Sequence, residues 1–256
     1  MHNRLVRTVA RAALIAVGMA GVTGMALPAG AAGHTHTATH SHAQSRPNWH
    51  LSRGKSVNWA GYVAQGGPFT SISGSWRVPS VDCSVTPSGD SANWVGIDGS
   101  GSRTVEQTGT LSECQRGTPI YAAWVEFFPA PLKIFAPSSF PLSAGDSMSA
   151  SVVLGAKSTF FATLVDHTAG WTATASRKHQ AQRVSAEAIA EAPSGAGGVL
   201  PLADFGTTSF NGVTVNGSAL SAFSPDRVVM TTHSGVVKAT PGALSGGDFS
   251  VTWQHS

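Results

Sequence analysis

The chain has 256 residues, enough for one or two domains, and only 11% of them are charged. Its formal charge of +3 reflects 16 Lys and Arg against 13 Asp and Glu, but Arg4, Arg7 and Arg11 fall in an N-terminal leader, so the remaining 13 basic and 13 acidic side chains balance. With no Lys/Arg run either, the nominally basic composition gives no support for a nucleic-acid partner.

The leader reads as a signal peptide over residues 1–32. Three arginines precede the apolar run Ala12 to Leu27, and Ala29-Gly30-Ala31 offers small residues for cleavage. A membrane anchor is the rival reading. Gly18, Gly21, Gly24 and Pro28 interrupt the run, however, and nothing later reaches the length of a membrane span. The chain is therefore expected to be secreted and extracellular, with no membrane partner once the leader is removed.

Residues 33–55 are poor in apolar side chains and rich in His and Thr. His34, His36, His40 and His42 could hold a transition metal loosely. A flexible tail that becomes cationic below about pH 6.5 is the favoured reading, and a short pro-segment is the other.

Residues 56–256 read as a single domain. Asn58 to Val63 is a first strand, and Phe69 to Val78 alternates through Ile72, Gly74 and Trp76 before Pro79 stops it. Between Asn93 and Gly109 two β-type runs flank a Gly/Ser turn, the pattern of a hairpin. Period-2 alternation puts Val95 and Ile97 on one face, and Trp94, Gly96 and Asp98 on the other. In the second run Val105 and Gln107 share a face, while Glu106 points the opposite way. Further strands follow at Tyr121 to Phe128, Ser147 to Leu154, Thr159 to Val165 and Trp171 to Ala175. Asn216-Gly217 within Val213 to Leu220 is the strongest two-residue hairpin signal, and Val228 to Thr232 and Phe249 to Trp253 complete the set. Helical periodicity is nearly absent, and 29 Gly and 14 Pro would break most helices. The pattern predicts an all-β fold, an antiparallel two-sheet sandwich or jelly roll.

Cys83 and Cys114 are the only cysteines. In an exported chain such a pair reads first as a disulfide. Closing a loop of about 30 residues stabilises by roughly 3 kcal/mol in the chain-entropy model. A metal site is the weaker alternative, because neither Cys-x-x-Cys nor His-x-x-x-His spacing surrounds them.

Most standard sites find no match. There is no Gly-x-Ser-x-Gly elbow, no His-Glu-x-x-His and no Asp-Thr/Ser-Gly pair, and no metal or other cofactor is implied. Beyond the tail only His167, His179, His233 and His255 remain, and nothing in their placement supports a Ser/His/Asp triad. Glutamates number only five, so their placement carries information. In Arg183 to Pro193, read as a strand, Ser185, Glu187, Ile189 and Glu191 share one face and alanines fill the other. A solvated edge with two ordinary glutamates is one reading; partial enclosure, suggested by Ile189 and the small apolar neighbours, is the other. The two carboxyls lie about 13 Å apart along the strand, too far to share a proton, so a catalytic member would take its partner from another strand.

Trp94-Val-Gly-Ile-Asp-Gly99, Glu106-Gln-Thr-Gly109, Tyr121-Ala-Ala-Trp-Val-Glu126 and Ala186-Glu-Ala-Ile-Ala-Glu191 stand in the order and spacing of the glutamic peptidases, or eqolisins. The resemblance runs from Asn58-Trp59 through Gly198 to Gly206 and on to the C-terminal strands. It implies a lectin-like sandwich and an acid-acting endopeptidase on polypeptide substrates. Matched motif to motif, it places the catalytic pair on Gln107 and Glu191, with Trp59, Trp94, Asp98 and Glu126 lining or supporting the cleft. The chemistry suits those residue types. A carboxylate can take the proton of an attacking water and return it to the leaving nitrogen, while an amide orients the water and donates to the oxyanion. The chain departs from the family at Ala188, where a large aromatic often follows the first glutamate, and in its short pro-segment. A monomer is expected. The alternative function is a secreted carbohydrate-binding or adhesion module, in which seven tryptophans supply stacking platforms; a glycoside hydrolase, needing two facing carboxylates, is a third reading.

Overall fold

The computed structural model describes residues 54–256. The signal-peptide reading and nearly all of the His-rich tail lie outside the described residues. In chain order the principal strands are β1 (Trp59–Gln65), β2 (Ser71–Arg77), β3 (Asp90–Asp98), β4 (Val105–Gln115), β5 (Thr118–Phe128) and β6 (Ser147–Leu154). They continue as β7 (Thr159–Asp166), β8 (Trp171–Lys178), β9 (Ser185–Glu191), β10 (Thr207–Val215), β11 (Asp226–Thr231), β12 (Val237–Pro241) and β13 (Phe249–Trp253). The only helical pieces among the described residues are two 3-10 turns.

One sheet runs β11-β1-β9-β3-β4-β5, and the other runs β8-β7-β6-β2-β10-β13-β12-β11. Strand β11 pairs antiparallel with both β1 and β12, so the ladder passes from one sheet to the other along one edge of the sandwich. The Asn93–Gly109 hairpin forms as expected, with Gly96 opposite Gln107 and Trp94 opposite Gly109. The Asn216-Gly217 turn also forms, with both residues at positive φ (49° and 80°), the backbone that a two-residue hairpin turn demands. The Cys83–Cys114 disulfide is present.

Alternation decides what faces the core. In β2 and β6, Ile72, Trp76, Met148, Ala150 and Val152 turn inward and are buried, while serines between them face out. They meet Val95, Ile97, Val125, Phe127 and the β9 alanines of the other sheet in one apolar cluster. Each large side chain buried there stabilises the fold by roughly 1.5–3 kcal/mol. Polar bonds also cross between the sheets: Trp76 Nε1 donates to Thr110 Oγ1 at 2.9 Å, and Asn93 Nδ2 donates to Thr208 Oγ1 at 2.8 Å.

The β11-β1-β9-β3-β4-β5 sheet is buried on its second face as well. Trp59, Val63, Ala92, Trp94, Leu111, Ala122, Trp124, Ile189 and Val228 form a separate apolar cluster there. Strand β9 is consequently buried at every position. It lies between β1 and β3 at the middle of its sheet, so the solvated-edge reading of Glu187 and Glu191 is wrong. Its close approach to β1 needs Gly61, whose φ is 154° and where a Cβ would come 2.2 Å from the Ala188 carbonyl oxygen.

Candidate active site

Register alone assembles a site on the second face. Glu191 lies opposite Trp59 on β1 and Ala92 on β3. Ile189 lies opposite Trp94, and Glu187 opposite Gly96. Gln107 lies between Gly96 and Glu126. Residues paired across antiparallel strands share a face, so Trp59, Trp94, Gln107, Glu126, Glu187 and Glu191 all project to one side of the sheet. Glu106 points into the sandwich, as the alternation predicts, and Ala188 does the same, away from Glu191.

The side chains are tied together by short bonds. Trp94 Nε1 donates to Glu191 Oε2 at 2.7 Å, and Asn58 Nδ2 donates to Glu191 Oε1 at 3.1 Å. Both Glu191 oxygens therefore act as acceptors on N–H donors, which fixes the carboxyl plane. Trp59 packs edge-on against Trp94 with ring centroids 5.0 Å apart, holding the donor indole in place. On the other side Gln107 Nε2 donates to Glu126 Oε2 at 2.6 Å, and Gln107 Oε1 has no hydrogen-bond partner. A carboxamide has a second N–H and an acceptor oxygen, so one bond to Glu126 orients Gln107 without using it up.

Burial raises two of these carboxyls. Burial pushes Glu126 up from the ordinary 4.5 to about 8; the Gln107 bond opposes this, and the negative charge of Glu191 adds to it. Burial likewise holds Glu187 well above the usual range, with the charges of Asp98 and Glu106 contributing. Glu126 is thus a neutral acid at low pH.

Asp98 occupies a supporting position. It sits at positive φ (67°) at the end of β3 and accepts from the backbone N–H groups of Arg183 and Val184, both at 2.8 Å. These bonds anchor the entry to β9 and so set where Glu191 falls. Two participants were not assigned roles from the sequence. Asn58 stands in the sequence as the start of a strand and of the family resemblance, with no role attached, and its bond to Glu191 spans 133 positions. Trp124, opposite Gly109, is buried on the site face with its Nε1 unpartnered. The Tyr121–Glu126 motif contains it, and strand alternation from Glu126 would have placed it on the same face.

Comparison with known proteins agrees with this geometry. The family model described as the Peptidase A4 family matches residues 57–253. The chain belongs to the Peptidase A4 family. It is 28% identical over 221 residues to Aspergillopepsin-2 of Aspergillus niger, covering 77% of this chain and 78% of that protein. It is 30% identical over 173 residues to Scytalidopepsin B of Scytalidium lignicola, covering 66% of this chain and 59% of that protein. A crystal structure of scytalido-glutamic peptidase with a transition-state analogue inhibitor superposes with a TM-score of 0.68 at 25% identity, covering 77% of this chain and 98% of that one. Aspergilloglutamic peptidase from Aspergillus niger superposes at 0.54 with 29% identity, covering 65% of this chain and 99% of that one. The A4 chain is a peptide hydrolase on an all-β sandwich, the fold and the enzyme class that the four motifs imply.

Proposed function

We propose that this A4 peptidase is exported and cleaves polypeptides in acid, with Glu191 and Gln107 as its catalytic pair. The observation that carries the reading is the linked set Trp94–Glu191 and Gln107–Glu126 on one face, in which Glu191's charge is felt at Glu126. In this scheme a water lies between Glu191 and Gln107 Oε1. Glu191 takes its proton as the oxygen attacks the peptide carbonyl carbon, and the second N–H of Gln107 donates to the oxyanion that forms. The protonated Glu191 then gives its proton to the leaving nitrogen, and the C–N bond breaks to an acid and an amine. Glu126, neutral under these conditions, orients Gln107 without placing a second negative charge beside Glu191. A carboxylate base suits acid conditions because a Glu with an ordinary pKa of about 4.3 is still partly ionised where imidazole is protonated.

The test is hydrolysis of a denatured protein between about pH 2 and 7, an interval spanning the carboxyl and imidazole ranges. Wild type is compared with Gln107→Ala and Glu191→Gln, each checked for fold by circular dichroism. Both substitutions should abolish acid activity in folded protein. Retained activity in either would move the chemistry elsewhere, and no cleavage by folded wild type would favour the glycan-binding alternative. Export is tested by N-terminal sequencing of protein recovered from the medium, which should begin after residue 32 or within the His-rich stretch.

A further inference from the structure

Glu106 is fully buried on the inner face of β4, in a cross-strand row with Ile97 and Phe127. An unpaired carboxyl in such an apolar row is costly, and although neither Glu106 oxygen has a hydrogen-bond partner, the opposite sheet brings one polar group close to it. His179, immediately after β8, places Nδ1 2.8 Å from Glu106 Oε1. The histidine is itself fixed, since its backbone N–H donates to the Ser158 carbonyl at 2.9 Å.

This contact belongs to a set. Two hydrogen bonds and this close N···O contact link the inner faces of β3 and β4 to the opposite sheet, each beside a site-face residue. Asn93 to Thr208 starts next to Trp94, Trp76 to Thr110 meets β4 next to Gly109, and Glu106 to His179 starts next to Gln107. Consecutive residues of a strand point to opposite faces, so a contact that pins Glu106 from behind also fixes the backbone from which Gln107 projects. Glu106 also lies opposite Phe127, the residue next to Glu126.

We propose that Glu106 and His179 are positioning residues for peptide hydrolysis, forming a cross-sheet strut that holds Gln107 at the angle its reaction requires. The inference rests on Gln107 and Glu191 being the catalytic pair. The strut touches neither substrate nor reacting atoms. It acts by limiting displacement of β4, and a shift of about 1 Å at a catalytic group can cost as much as a hundredfold in rate. Loss of the strut should therefore lower kcat while leaving substrate binding, spread over the whole cleft, little changed.

The experiment compares Glu106→Leu, Glu106→Gln and His179→Phe with wild type, with Gln107→Ala and Glu191→Gln assayed alongside. Glu106→Leu suits the apolar row but removes the polar contact, whereas Glu106→Gln keeps a polar oxygen of the same size facing the imidazole. In folded Glu106→Leu and His179→Phe, kcat should fall about tenfold or more with KM within about twofold, the signature of a lost transition-state interaction. In Glu106→Gln, kcat should return to within about threefold of wild type, because the amide keeps a polar oxygen of similar shape against the imidazole. Wild-type kcat in folded Glu106→Leu, or a Glu106→Gln enzyme as impaired as Glu106→Leu, would overturn the strut while leaving the catalytic pair intact. Activity surviving in Gln107→Ala would instead remove the pair, and the strut's purpose with it. If Glu106→Leu does not fold, His179→Phe against Glu106→Gln decides by the same comparison.

Discussion

The indole Nε1 of Trp94 donates to Glu191 Oε2 at 2.7 Å, joining residues 97 positions apart on neighbouring strands. The bond fixes the orientation of the carboxyl and places it near enough to Glu126 to raise that group's proton affinity. Trp94→Phe keeps a ring to pack on Trp59 and removes only the N–H. A hydrogen bond to a charged group contributes roughly 1.5–3 kcal/mol, so kcat should fall about 10- to 100-fold. Steady-state kinetics on folded protein checks this; an unchanged kcat would mean that the Trp94 bond is not needed to hold the carboxyl.

Glu126 is pushed up to about 8, chiefly by burial, and so works in acid as a neutral group. Replacing it with a neutral isostere should then matter little for charge. Glu126→Gln is expected to keep kcat within about tenfold of wild type in acid, because an amide oxygen still accepts from Gln107. Glu126→Ala removes the acceptor and frees the Gln107 side chain, and its kcat should fall further than that of Glu126→Gln. Equal loss in the two variants would show that ionised Glu126 is required.

Those elevated pKa values also set a stability profile. Burial raises Glu106 from 4.5 to about 7, Glu126 from 4.5 to about 8 and Asp90 from 3.8 to about 7, the last helped by the charge of Glu113 opposite it on β4. Each group binds its proton more tightly folded than unfolded. Its stabilising contribution is fully present below the unfolded pKa near 4 and is lost as pH rises through the folded values. Tm should therefore be highest at or below about pH 4 and fall steadily from there to about pH 8. A flat or rising Tm over that interval, measured by calorimetry, would contradict the burial of these carboxyls. In Glu126→Gln the fall should be shallower.

How much of this was legible in the chain depends on the range of the interaction. The Asn93–Gly109 hairpin is local. Alternation alone separated Trp94 from Val95 and Gln107 from Glu106, and the observed register then puts Trp94 and Gln107 on one face. The face shared by Glu187 and Glu191 was equally readable. What sequence could not supply is the insertion of β9 between β1 and β3, a pairing across roughly a hundred residues that turned an apparent edge into the middle of a sheet. The same holds for Asn58 reaching Glu191 and for Glu106 meeting His179, because a side chain's partner across the sandwich has no periodic signature. The family motifs supplied the catalytic assignment; the physics of single residues supplied the faces.

The Cys83–Cys114 bond closes a separation of 31 residues that contains β3 and part of β4, the strands bearing Trp94 and Gln107. In the double Ser variant, loss of the cross-link should cost about 3 kcal/mol. For a domain of this size that corresponds to a Tm lower by roughly 6–12 °C. Both cysteines lie away from the site face's bonded set, so kcat of the folded variant below its transition should match wild type. A kcat loss larger than about threefold would instead couple the disulfide to the positioning of β4.

Gly96 gives the most local test of the site. It separates Glu187 from Gln107 in a single cross-strand row, and nothing projects from it. A Cβ there would come 2.9 Å from Gln107 Cβ and 3.1 Å from both the Glu106 carbonyl oxygen and Trp94 Cζ3. The conflict is with packed neighbours on both sides, so relief requires Gln107 or Trp94 to move. Gly96→Ala should lower kcat about tenfold or more in protein that still folds, since either displacement disturbs a group bonded to Glu126 or Glu191. The effect should exceed that of an alanine at Gly197, where a Cβ meets no atom within 4 Å. If the two alanine variants have the same kcat, the tight row around Gly96 has no bearing on catalysis, and Gln107 tolerates movement that the proposed chemistry forbids.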